Sequence, residues 1–218
     1  MKNSKVLLAG LASLLIAAVP ALAANSITVT GAAAIQGSFG MSVNLDPVAG
    51  AYDPVYVQDN SPNGETHMVT EFKIRAQALD APASGAGRNF RFFNWGDDQN
   101  PATPHKILFA QRQATTGNWR FLAWTYDNGA YTYVGGFFLF PYHSALSRTI
   151  RCEWTQATAG ANGSFRCERT DSPGTQFFER TNIDDTATNT DYVQVGLFDY
   201  DSFNGPGSFH FDDYVSTR

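Results

Sequence analysis

The chain has 218 residues, a formal charge of −5, 15 Lys and Arg against 20 Asp and Glu, and two cysteines. That length makes one sizeable domain, able to bury roughly 70% of its unfolded surface. The few basic residues are scattered, which excludes the clustered cations that phosphate tracking requires and so argues for no nucleic-acid partner.

The first residues read as an export signal. Met1-Lys2-Asn3-Ser4-Lys5 precedes an apolar run from Val6 to Val19, Pro20 breaks it, and Ala21-Leu22-Ala23 ends it with small residues where a signal peptidase reads. The run is shorter than the ~20 apolar residues that spanning needs. Cleavage before Ala24 is expected, leaving residues 24–218 as a single β-sandwich domain with no membrane span. The protein is then exported to the periplasm or the extracellular space. Losing residues 1–23 removes Lys2 and Lys5 and no acid, and no cysteine follows for a lipid anchor.

Beyond the leader, short alternating runs rich in Phe, Tyr, Val and Thr are separated by Gly, Pro, Asn and Asp clusters. The pattern predicts strands at Ile27–Thr30, Met41–Leu45, Val55–Gln58, Thr66–Ala76, Asn89–Trp95, Lys106–Arg112 and Trp119–Tyr126. Tyr131–Val134, Phe137–Phe140, Leu146–Thr155, Ser164–Thr170, Tyr192–Phe198 and Ser208–Ser216 follow. Asn128-Gly129 supplies the two positive-φ residues of a type I′ hairpin turn. About a dozen strands with almost no helical periodicity predict an all-β, two-sheet antiparallel β-sandwich of jelly-roll type. In Thr66–Ala76, alternation puts Met68, Thr70, Phe72 and Ile74 inward and Val69, Glu71, Lys73 and Arg75 outward. In Ser208–Ser216 it puts Phe209, Phe211, Asp213 and Val215 on one face.

Cys152 and Cys167 fall on two of these runs. One hairpin register, turning at Gly160-Ala161-Asn162-Gly163, sets Cys152 against Cys167, Trp154 against Phe165, Arg151 against Glu168 and Glu153 against Arg166. All four are favourable cross-strand pairs, and a one-residue slip loses them together. In an exported chain the pair is expected to form a disulfide, with Trp154 and Phe165 in the core.

Three segments carry a family resemblance. Val57-Gln58-Asp59-Asn60-Ser61-Pro62-Asn63-Gly64-Glu65-Thr66, Glu153-Trp154-Thr155-Gln156-Ala157 running on to Ser164, and Phe209-His210-Phe211-Asp212-Asp213-Tyr214-Val215-Ser216 resemble secreted bacterial proteins with a concanavalin A-like, laminin-G-like sandwich. The resemblance spans roughly residues 40–218 and implies a fold. The cysteine pair departs from the family pattern. Fold analogy does not give function.

The chemistry expected on such a scaffold is mostly missing. Glycosidases need two carboxylates facing across a cleft, and those of this fold carry Glu-x-Asp-x-x-Glu on one strand, a run this chain lacks. Beyond the leader its glutamates are Glu65, Glu71, Glu153, Glu168 and Glu179, two of them assigned to the hairpin. Lyases of the fold use an Arg-Glu strand, Gln-x-His and a Tyr-Lys strand; Glu71-Phe72-Lys73-Ile74-Arg75 is a loose echo. His67, His105, His143 and His210 share no metal-ligand spacing. No Gly-x-Ser-x-Gly elbow marks a nucleophile, though scattered Ser, His and Asp leave a triad open. Gly85-Ala86-Gly87 lacks the strand–turn–helix context of phosphate binding.

Two features remain. Asp212 and Asp213 close the chain in a Phe-rich strand, and a buried carboxylate must be paired or metal-bound. Its partners are either arginine or backbone amides, or a structural Ca²⁺, the one cofactor the sequence suggests. Asp199-Tyr200-Asp201 with Asn204, and Asp97-Asp98, are further acidic loops. On the Asn128-Gly129 hairpin, Trp124 faces Tyr133 and Tyr126 faces Tyr131, all on one face with Arg120. Such a surface stacks sugar rings and donates to their hydroxyls; it is equally ordinary sheet packing. The expectation is a non-catalytic binding module for carbohydrate or another cell-surface polymer. A structural or adhesive protein-binding role, and an unrecognised glycan hydrolase or lyase, are the alternatives.

Overall fold

The computed structural model describes residues 25–46, 54–77, 88–98, 104–113, 116–141, 144–171, 176–200 and 207–218. The expected signal peptide, Gly85-Ala86-Gly87, His143, Asp201 and Asn204 lie outside them. The described strands are β1 (Ser26–Thr30), β2 (Gly40–Leu45), β3 (Val55–Asp59), β4 (His67–Gln77), β5 (Arg88–Gly96), β6 (Lys106–Arg112) and β7 (Trp119–Asp127). They continue as β8 (Ala130–Phe140), β9 (Arg148–Thr155), β10 (Gly163–Arg169), β11 (Gln176–Ile183), β12 (Tyr192–Tyr200) and β13 (Gly207–Thr217). Seven form one sheet in the order β1-β2-β13-β4-β9-β10-β11 and six form the other, β3-β12-β5-β6-β7-β8. Every pairing is antiparallel, so the predicted two-sheet sandwich is the fold. No described helix is long and apolar enough to cross a membrane.

The inner faces make one core, because alternate residues of each strand point the same way. Met68, Thr70, Phe72 and Ile74 are buried from β4, while Phe90, Phe93 and Trp95 meet them from β5. The rings of Phe72 and Phe93 stack at 5.4 Å, and Phe90 stacks on Phe209 at 4.2 Å. The hairpin register holds: Cys152 pairs with Cys167, Trp154 with Phe165, Arg151 with Glu168 and Glu153 with Arg166. The cysteines are disulfide-bonded with Cα atoms 4.1 Å apart. Of the outward charges, Arg151 and Glu168 meet straight across the hairpin, whereas Glu153 and Arg166 turn to diagonal partners. Glu168 takes Arg166 at 2.8 Å and Arg151 at 3.6 Å, while Glu153 takes Arg151 at 2.9 Å and His67 at 3.3 Å.

Three strand expectations change. Tyr131–Val134 and Phe137–Phe140 are parts of the single strand β8, joined through Gly135-Gly136. Strand β11 lies where no strand is expected: its adjacent Phe177 and Phe178 point to opposite faces, one exposed and one half-buried, so the sequence there shows no apolar–polar alternation. Asp213 does not lie on the apolar face. A bulge between Asp212 and Val215 puts Asp213 at φ 50° and turns it and Val215 outward; an extra residue in one strand reverses the alternation beyond it.

The flanks of the sandwich differ. On one side the edge strands β8 and β11 pack together, with Phe178 lying on Gly135, where a Cβ would come within 2.6 Å of that side chain. On the other, the edge strands β1 and β3 scarcely meet.

Candidate functional site

The outer face of the six-stranded sheet collects the aromatic residues singled out in the sequence. Register aligns Gln58, Gln194, Asn94, Ile107, Trp124 and Tyr133 in one row across all six strands. At the β8 end, Trp124 and Tyr133 lie 5.5 Å apart between ring centroids. Beside them Tyr126 and Tyr131 meet edge to face, also at 5.5 Å. Tyr131 and Tyr133 are 41% and 45% exposed and Trp124 and Tyr126 are half-buried, so this face meets solvent rather than the core. The Asn128-Gly129 turn that sets this register has the expected positive φ angles of 48° and 83°. Arg120 lies on the same face, paired in register with Gln111 and Phe138 rather than with the tyrosines.

At the β3 end the row becomes an amide ladder. Asn94 Nδ2 donates to Gln194 Oε1 at 3.1 Å, Gln194 Nε2 to Gln58 Oε1 at 2.6 Å, and Gln58 Nε2 to Asn60 Oδ1. All the donors point toward β3, which leaves a buried carbonyl, Asn94 Oδ1, at the head of the ladder with no partner among the described residues. Aligned amides polarise one another and strengthen that terminal acceptor. Tyr192 lies across Gly96, whose missing Cβ would sit 1.9 Å from the ring, and so adds another aromatic surface beside the row. Arg91 completes the face, its guanidinium 5.6 Å over Phe198. Sequence reasoning missed the ladder and Tyr192, because they assemble only when β3, β5 and β12, distant in sequence, become neighbours.

Burial raises the hydroxyl pKa values of Tyr131 and Tyr192, and Tyr131 donates its proton to the Pro104 carbonyl at 2.7 Å.

Elsewhere the polar residues have structural partners. Asp212 Oδ2 accepts from the amides of Ile35 and Gln36, each at 2.7 Å, and Oδ1 from Asp213 N at 2.9 Å. Asp213 pairs with Lys73 at 2.5 Å. A different acidic group converges at the end of the six-stranded sheet: Asp97 and Asp98 with Asp191. His210 accepts from Arg75 at Nδ1, 2.8 Å away, so its Nε2 carries the proton toward Ser208 Oγ at 3.2 Å. A histidine so protonated cannot activate that serine. The Glu71–Arg75 echo lies on the seven-stranded sheet, on the far side of the sandwich from the aromatic face.

A buried chain of polar groups ties the sheets together. Asp185 accepts from Lys106 Nζ at 3.0 Å, Trp154 Nε1 at 2.7 Å and Ala157 N at 2.8 Å. Lys106 also donates to His105 Nδ1 at 3.3 Å, which leaves the His105 proton on Nε2, facing Thr190 Oγ1 at 3.0 Å. Burial lowers Lys106 to about 8 against the pull of Asp185, so it stays charged at neutral pH. Burial, then the Lys106 charge, push His105 well below the ordinary imidazole range.

No protein-family model matches the sequence, and no curated protein matches it either. Solved structures do. An endo-β-1,4-glucuronan lyase from the fungus Trichoderma reesei superposes with a TM-score of 0.62 at 13% identity, covering 88% of this chain and 86% of that one. An alginate lyase from Klebsiella pneumoniae gives 0.57 at 10% identity over 84% and 82%. One from Pseudomonas aeruginosa gives 0.54 at 13% identity over 82% of each chain. At these identities the likeness establishes the fold.

Proposed function

We propose that this protein is an exported binding module that holds a glycan chain across the outer face of its six-stranded sheet. The observation that carries the reading is the single cross-strand row running from an amide ladder into an aromatic pair. Rings stack on Trp124 and Tyr133, the exposed Gln58 amide at the β3 end is within reach of hydroxyls, and Arg91 and Arg120 are placed for acidic substituents. Proteins of the same fold act on polyuronates, a glucuronan lyase and alginate lyases among them. Acidic glycans are therefore the first ligands to try. The disulfide suits an oxidising compartment outside the cytoplasm.

Binding is favoured over elimination on a specific ground. A lyase needs a base, and two tyrosines of this face, Tyr131 and Tyr192, are shifted by burial away from that role. The described histidines lie elsewhere: His67 and His210 on the seven-stranded sheet and His105 in the interior.

Calorimetric titration with alginate, glucuronan and neutral β-glucan oligosaccharides tests this. At least one should bind, and Trp124→Ala and Tyr133→Ala should each weaken it tenfold or more, about 1.4 kcal/mol. Both positions face solvent, so the variants should keep the fold. Unchanged affinity in both variants sinks the platform, and release of unsaturated oligosaccharide products would convert the reading to a lyase.

A further inference from the structure

The open flank carries a cleft on the inner side of β3, opposite the glycan face. Between β1 and β3 the inner faces of both sheets run out to their edges without closing. The floor is the row Val29, Met41, Phe211 and the roof is Val57 and Val195, with Phe72 in the depth. They enclose a cleft of about 360 Å³, within the ~300–1,000 Å³ range of ligand pockets. Val29 and Val57 are 71% and 48% exposed, although their strand positions point into the sandwich. Phe39 and Tyr214 stand exposed at the same mouth. An apolar patch of this kind on a folded surface usually marks an interaction site.

The rim limits what can enter. Asp59, Asp212 and Asp213 all line the mouth. Lys73 answers Asp213, and Arg218, bonded to Ser61 and Glu65, also acts on Asp59, so three carboxylates stand against two cations. Asp212 and Asp59 are fixed as anions by hydrogen bonds, from the amides of Ile35 and Gln36 and from Ser61 respectively. The mouth is therefore anionic and the interior apolar. A fatty acid would set its carboxylate against that rim, whereas a cationic head would be attracted to it.

We propose that this cleft binds a single-chain amphiphile with a cationic head, the chain between the sheets and the head at Asp59 and Asp213. The test titrates the full chain with decyltrimethylammonium and with decanoate, each below its micellar concentration, at pH 7.5. Decyltrimethylammonium should bind at one site, and decanoate at least tenfold more weakly. Val57→Trp, which fills the mouth from an edge strand, should weaken binding tenfold or more. Asp59→Asn with Asp213→Asn, at rim positions outside the core, should cut the preference for the cation at least threefold. Trp124→Ala should leave it unchanged, which separates this site from the glycan face. Equal binding of the two amphiphiles, or binding that neither the Val57 nor the Asp59/Asp213 variant alters, overturns the proposal.

Discussion

The two flanks of the sandwich use the same kind of strand and reach opposite ends. On the β8–β11 side the sheets are joined twice over. Phe178 crosses to stack near Phe121 and Phe137, and Asp127 holds β11 through Arg180 at 2.5 Å and the Asp184 amide at 2.9 Å. Just inside lies the Lys106–Asp185–Trp154 contact, which links β6 to β9 and to the chain leaving β11. On the β1–β3 side the inner rows end in Val29 and Val57, and the polar link between the sheets there is at the chain's end, where Arg218 meets Ser61 and Glu65 at the surface rather than in the interior. Apolar alternation alone therefore builds two sheets but does not close them. Closure comes from a small number of cross-sheet polar contacts, together with a glycine that admits a ring.

The strongest test of this contrast is to break the buried pair. Asp185→Asn removes the counterion that opposes the burial of Lys106, and breaking a buried pair by taking away one partner typically costs about 3–5 kcal/mol. Val57→Thr on the open flank, a half-exposed edge position, should stay within about 0.5 kcal/mol. Urea unfolding of the two variants decides the matter. Equal losses would mean that the flanks contribute alike and that the buried pair is not what closes the sandwich.

The disulfide gives a smaller effect on the closed half. It bridges a separation of 15 residues, for which loop-closure entropy suggests about 3 kcal/mol. Cys152→Ala with Cys167→Ala should lower stability by that order. In native-state hydrogen exchange the amides of β9–β11 should lose protection, while those of β1 and β3 keep theirs. Uniform loss across both flanks would show that the staple acts on the whole sandwich rather than on its own half.

What could be read from the sequence follows the same divide between local and assembled structure. Period-two alternation and turn chemistry gave the hairpins around Asn128-Gly129 and between the cysteines, with their registers intact. They gave the inward face of β4 as well. Alternation failed at Asp213, where a bulge resets it, and at β11, an edge strand with few inward side chains. The β7–β8 aromatic half of the candidate glycan site was visible because two adjacent strands build it. The amide half was not, since Gln58, Asn94 and Gln194 come from strands far apart in the chain. Lys106 and His105 were equally opaque: one read as a strand-end lysine and the other as an isolated histidine, and only the packing of Trp154 and Asp185 around them explains both.

His105 turns the buried chain into a pH effect whose sign can be worked out. Folded, its pKa lies well below the usual value because of burial and the neighbouring Lys106 charge; unfolded, it titrates near ~6.5. Above that pH the imidazole is neutral in both states and contributes no pH dependence. Below it the unfolded chain takes up a proton that the folded protein refuses, so stability falls as pH drops, by up to about 1.4 kcal/mol per pH unit. The loss continues until the folded pKa is reached. His105→Gln keeps a side chain able to hydrogen-bond toward Lys106 or Thr190 and removes the titration. Unfolding free energies measured from pH 7 to pH 5 should therefore fall less steeply in the variant, by close to one bound proton. Parallel slopes would place the acid sensitivity elsewhere than His105; the Asp127–Arg180 contact on the same flank adds its own loss only below about pH 4, where the unfolded carboxylate takes up a proton that the folded one, held below its usual range, does not.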